Sequence, residues 1–170
     1  MEYKWIGAIL IMAGCGGFGF CLAHSQRYQE KSLRNLTSAL DFMACELQYR
    51  MTPLPELCQA VSQETSGELR QLFQKLSGQL LLQNSESVAD AMEAALQSCS
   101  ALPPKTRNHL LTLGRTLGRF DLDGQLRGLE AVRSDCRRDL EGLSSNRDLR
   151  LRNYQTLGLC AGAALAIILI

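Results

Sequence analysis

Two histidines, 7 cysteines and 17 carboxylates are the groups from which this chain of 170 residues could assemble reactive chemistry. Nucleophilic catalysis needs a Ser or Cys activated by a His that a third group holds in place. His24 stands at the edge of an apolar run and His109 falls within a helical stretch, and neither has a Cys or carboxylate at ligand spacing. The cysteines, at positions 15, 21, 45, 58, 99, 136 and 160, are odd in number and include no CxxC pair, so they spell out neither a zinc site nor a disulfide framework. Three lie in the apolar ends, and the four central ones read as core thiols of a reducing compartment. No GxGxxG follows a strand, and no GxxxxGK(S/T) or HExxH occurs. Glu46, Glu56, Asp121 and Asp123 stand at helix ends or corners, where helix dipoles and caps account for acids. The expectation is a non-enzymatic protein with no metal and no cofactor.

The remaining distinctive side chains suit recognition. Arg115 and Arg119, one turn apart, share a face that either meets an acidic partner or stands in solvent. Tyr49, Pro53 and Pro55 surround a sharp corner, and with the two arginines they form the expected partner surface. Near the C-terminus, Gly158, Gly162 and Ala166 recur every four residues, a small-residue face along which membrane helices approach closely. Ala13 with Gly17 and Cys15 with Gly19 make similar pairs in the first run.

These groups are positioned by an all-α chain with apolar ends. Ile6 to Ala23 carries no charge, nor does Tyr154 to Ile170, and each approaches the ~20 residues that span a bilayer. From Leu157 onward the second run is about 21 Å of helix, short for a bilayer, which favours a partner helix or a thinned membrane. Mean hydropathy of -0.06 averages these ends with a polar centre. The expected organisation is an N-terminal transmembrane helix (1–24), a cytoplasmic helical bundle (25–153) and a C-terminal transmembrane helix (154–170). Arg27, Lys31 and Arg34 follow the first run, and Arg147, Arg150 and Arg152 precede the second, so both flanks hold the centre on the cytoplasmic side. Met12-Ala13-Gly14-Cys15 leaves open an exported, lipoprotein-like binding module anchored through Cys15. A net charge of +1 offers no basic footprint for nucleic acid.

Six helices in an antiparallel bundle are legible in the centre. Leu33, Leu36, Leu40, Met43 and Leu47 repeat at spacings of a helix seam. Pro53 and Pro55 turn the corner, pushing Met51 and Leu54 away from helix and opening a second helix with Leu57, Cys58 and Val61 inward. Thr65-Ser66-Gly67 breaks that helix, and Leu69, Leu72, Phe73, Leu76 and Leu80 mark the third. Ser87 with Asp90 reads as the N-terminal cap of a fourth, ending before Leu102-Pro103-Pro104. A fifth carries Leu110, Leu113 and Leu117 and stops at Gly118, and a sixth starts at Asp121 or Asp123 and runs on into the terminal apolar stretch. Gly114 and Gly118, inside or at the end of an otherwise sound helix, call for a close helix contact or a terminus.

The chain resembles the stage III sporulation protein AB family of endospore-forming bacteria. The residues that carry the resemblance are Glu46 and Tyr49 leading into Thr52-Pro53-Leu54-Pro55-Glu56, Leu113-Gly114 with Leu117-Gly118 and Asp121, Gln125, and Tyr154 with Leu157-Gly158. Met92, after Ala91, departs from the bulky aromatic expected there. The resemblance implies a fold similar to the cytoplasmic domains of the type II secretion platform protein F. It also implies membership of a mother-cell assembly at the forespore membranes, whose partners include a secretion-type ATPase and ring or channel membrane proteins. Self-association and contact with the bilayer belong to the same expectation.

Overall fold

Leucine-rich seams at three- and four-residue spacing are the main folding signal, and helices form wherever they occur. The computed structural model describes the backbone of residues 2–82, 87–118 and 121–144, and their side chains from residue 25 onward. Among these residues there are six helices and no strand. They are α1 (Glu2–Arg50), α2 (Leu54–Glu64), α3 (Glu68–Leu81), α4 (Val88–Gln97), α5 (Pro104–Thr116) and α6 (122–144). The chain divides into one compact unit of residues 29–140 and a second made of its two ends, 1–28 with 141–170. The expected membrane segments, 1–24 and 154–170, lie outside the residues whose side chains are described. Among the described residues no helix is long and apolar enough to cross a membrane.

In the unit 29–140 every seam residue of α1, from Leu33 to Leu47, is buried. Leu57, Cys58 and Val61 of α2 join them, with Leu69, Leu72, Phe73 and Leu76 of α3. The second half of the core comes from Met92 and Leu96 of α4, Leu110 and Leu113 of α5, and Leu129, Val132 and Cys136 of α6. Consecutive helices pack as neighbours, α2 on α3, α3 on α4 and α4 on α5, as short turns between antiparallel helices require. Cys45 departs from the expected core thiols: it is exposed, because it lies off the face that Leu40, Met43 and Leu47 share, whereas Cys58, Cys99 and Cys136 are buried.

Side chains cap the starts of α4 and α6. Ser87 caps α4, its hydroxyl oxygen accepting from the Asp90 amide at 3.2 Å and its hydroxyl donating to the Asp90 carboxylate at 2.7 Å. Asp121 opens α6 by accepting from the Gly124 amide at 3.1 Å. Leu54 differs from its expected extended backbone and is the first residue of α2, with Pro53 as its cap. At a helix start the missing proline N–H costs nothing, so Pro55 is accommodated in the first turn. Three cations close the carbonyl ends of neighbouring helices. Arg70 donates to the carbonyls of Ser62 and Thr65 beyond α2, Arg107 to those of Leu96 and Cys99, and Lys75 to that of Ser98.

Candidate interaction site

The corner after α1 holds Tyr49, Pro53 and Pro55, the expected partner residues of this part of the chain. Arg50 is the last helical residue, and Met51 leaves the helix with φ 51°, a left-handed backbone that a side chain rarely adopts. Glu46 secures the corner from the last turn of α1, accepting from the Thr52 hydroxyl at 3.0 Å and pairing with Arg50 at 3.2 Å. Tyr49 and Met51 therefore project outward, 77% and 71% exposed. Pro53 is exposed and Pro55 half-buried, its carbonyl accepting from the Ser77 hydroxyl of α3 at 2.8 Å.

The α5–α6 turn closes on this corner. Gly118 follows α5 with φ 75°, and a Cβ there would meet Val88 Cγ2 at 2.6 Å and Leu54 Cδ2 at 3.8 Å. Glycine is thus favoured twice over, by the left-handed backbone and by the close approach of Val88 of α4, while Leu54 of α2 stands at ordinary contact distance. Between the two turns lies an open groove of about 300 Å³, walled by Met51, Pro53 and Leu54 on one side and by Gly118, Leu122 and Gln125 on the other.

The structure thus brings Tyr49, Pro53 and Pro55 together, with the α5–α6 turn as an added neighbour that sequence spacing alone did not join to them. Arg115 is exposed, and among the described residues it has no ion-pair partner. Arg119, Gly158, Gly162 and Ala166 lie outside the described residues. Leu81 and Leu82, 63% and 70% exposed, end α3 one turn beyond Ser77 and so belong to this same end of the bundle. The helical period that puts Leu80 on the inward face leaves Leu81 and Leu82 off it, and only the fold shows that they join the corner end.

At the opposite end, His109 gains a partner thirty positions away in sequence. Its Nε2 lies 2.9 Å from Asp139 Oδ2, and Lys105 Nζ lies 2.7 Å from Oδ1. The Lys105 hydrogen bond holds the Asp139 carboxyl below its ordinary value; burial opposes this and His109 adds to it. Ser32 and Thr106 share a hydrogen bond of 3.1 Å nearby. These contacts fasten α5 to α6 and to α1. Among the described residues no group of Cys, His, Asp and Glu side chains is arranged to hold a metal ion.

The family model of stage III sporulation protein AB matches residues 4–170. The chain belongs to the stage III sporulation protein AB family. It is 24% identical over 169 residues to stage III sporulation protein AB of Bacillus subtilis (strain 168), covering 98% of each chain. A solved structure of a stage III sporulation protein AB superposes with a TM-score of 0.63 at 22% identity, covering 72% of this chain and 98% of the other. That likeness speaks for the fold alone.

Several of the described residues that carry the family resemblance lie at the corner, whereas Tyr154, Leu157 and Gly158 lie outside the described residues. Glu46 and Thr52 hold the backbone of the corner, Gly118 lets α5 close onto α4 and α2, Asp121 caps α6, and Gln125 lines the groove. Gly114 meets Met92 at the α4–α5 crossing. Met92 is fully buried, so its departure from an aromatic changes core packing and leaves the groove unchanged.

Proposed function

We propose that this chain is a non-enzymatic membrane scaffold in a sporulation-specific, secretion-like channel complex between mother cell and forespore. In this reading the helical domain lies on the cytoplasmic side of the mother-cell membrane around the forespore and contacts a secretion-type ATPase. The two apolar ends cross the bilayer and pack, through faces such as Gly158, Gly162 and Ala166, against ring or channel subunits or a second copy.

One observation carries the reading: in a member of a sporulation family, one end of the bundle presents Tyr49, Met51 and an open groove on a corner that Glu46, Thr52 and Gly118 hold rigid. Rigid, exposed aromatic and apolar side chains beside a pocket are what a binding surface uses. The coupling of an ATPase to a channel rests on the family resemblance.

Co-purification from sporulating cells tests it. The full chain should bring down the ATPase of the assembly, and Tyr49→Ala with Pro53→Ala should reduce that recovery severalfold. Arg115→Glu with Arg119→Glu tests the arginine face in the same assay. Unchanged recovery with both variants would remove both surfaces from the contact. Intact-mass measurement separates the Cys15-anchored alternative, which requires loss of Met1 and a lipid adduct on the cysteine.

A further inference from the structure

Helix α6 is attached to the bundle differently from the others. Along residues 122–144 it buries only Leu129, Val132 and Cys136, and Leu122, Leu126 and Leu140 on the same seam are half-buried. The shorter α3, Glu68–Leu81, buries Leu69, Leu72, Phe73, Leu76 and Ser77, and α2, α4 and α5 are likewise buried more densely along their length than α6. Apolar burial is the main force that holds one helix to another, so α6 has the weakest grip per turn.

Charge supplies part of what burial does not. Among the described residues, the ion pairs that join one helix to another all include α6. Asp41 of α1 accepts from Arg133 at 2.7 Å and has Arg137 at 3.9 Å. Asp139 accepts from Lys105 of α5 at 2.7 Å and meets His109 of the same helix at 2.9 Å. Other pairs, such as Glu30 with Arg34 and Asp135 with Arg138, lie within a single helix. By contrast, α1 to α5 are joined to one another by the apolar core and by hydrogen bonds that need no carboxylate, as from Ser77 to the Pro55 carbonyl and between Thr106 and Ser32.

Arg133 ties α6 to α1 and Asp139 ties it to α5, so two carboxylates, Asp41 and Asp139, grip the helix on two sides. Both pairs keep contact with solvent, and ion pairs so placed hold weakly. Sparse burial together with wet ion pairs marks the part of a fold that opens ahead of the rest. We infer that α6 is a charge-fastened strap, a unit that opens from the α1–α5 body while that body stays folded, and that Asp41 and Asp139 set how often it opens. Opening brings Leu129 and Val132 to solvent. The inference goes beyond the scaffold reading and does not depend on it, since no partner or membrane contact enters it.

The test is amide hydrogen exchange, read by mass spectrometry on the full chain in phosphatidylcholine nanodiscs. In the wild-type protein, amides of residues 126–138 should exchange at least about tenfold faster than those of 69–80 after correction for intrinsic rates, and the gap should close as urea is raised towards global unfolding. Asp41→Asn with Asp139→Asn should speed exchange across 126–138 about threefold or more. Ser77→Ala, which removes the hydrogen bond from α3 to the Pro55 carbonyl of α2, should speed exchange across 69–80 and leave 126–138 unchanged, because that bond survives when the strap opens. Equal wild-type rates in the two segments, with equal urea dependence, would mean that α6 unfolds only with the whole bundle and would overturn the inference. Acceleration of both segments alike by Ser77→Ala would overturn it too, and so would a paired carboxylate variant that leaves 126–138 unmoved. The wild-type comparison decides the matter even where a variant fails to fold.

Discussion

Gly114 and Met92 touch backbone to side chain: a Cβ on Gly114 would lie 2.7 Å from Met92 Cβ and 2.9 Å from its Cγ. Met92 cannot swing away, because the nearest atom is its own Cβ, fixed to the α4 backbone. Gly114→Ala should therefore destabilise the protein by about 1 kcal/mol or more, the overpacking penalty outweighing the gain in helix propensity. Gly78, in the last turn of α3, has open space where a Cβ would stand, so Gly78→Ala should stabilise by about 0.5–1 kcal/mol. Denaturant unfolding of the two variants side by side gives opposite signs.

Met51→Gly should stabilise the fold by about 0.5–1 kcal/mol, since glycine takes the left-handed conformation without strain but gives up some of that gain as unfolded-chain entropy. The same variant should weaken partner recovery, so stability and binding should move in opposite directions. Thermal unfolding and pulldown of one preparation check both.

Asp139 makes stability depend on acid. Its folded pKa lies below its ordinary value, mainly through the Lys105 hydrogen bond. A carboxylate depressed on folding contributes fully above its ordinary pKa and loses that contribution as the pH falls toward the depressed one. The wild-type protein should therefore lose stability below about pH 5, and Asp139→Asn should be less stable at neutral pH with a shallower acid slope. Midpoints of urea unfolding across pH measure this.

Among the described cysteines, Cys45 should alkylate first. It is exposed, whereas burial pushes the Cys58 thiol up to about 12, and burial followed by the charges of Asp139 and Asp135 pushes Cys136 up to about 12 as well. The thiolate is the reactive form. Peptide mapping after brief iodoacetamide treatment should find Cys45 modified, with Cys58, Cys99 and Cys136 labelled only after unfolding.

Helix seams and caps were readable because they depend on residues within a few positions of one another. Leu33 to Leu47, Ser87 with Asp90 and the stop at Gly118 all follow from the helical period or from one local backbone requirement. His109 with Asp139 was not readable, since thirty residues and a turn separate them and neither carries a periodic mark. The corner was visible as a break at Pro53, but its groove needs Leu122 and Gln125 from a turn some seventy residues later. Small thiols suit cores in general, and only the phase of α1 puts Cys45 outside. Gly114 in sequence calls for a close contact or a helix end, and the crossing of α4 and α5 supplies the contact and its neighbour.

The cations that close the ends of neighbouring helices bear on how the chain assembles. Arg70 reaches back to α2, Lys75 of α3 reaches forward to the residue after α4, and Arg107 reaches back to the end of α4 and just beyond it. None of these bonds waits for the C-terminal third of the protein. As the chain leaves the ribosome, α2 to α5 can close pairwise through contacts of short sequence span, which is the quick route. Arg133 on Asp41, across 92 positions, has to come last, and it joins α6 to an assembly already built.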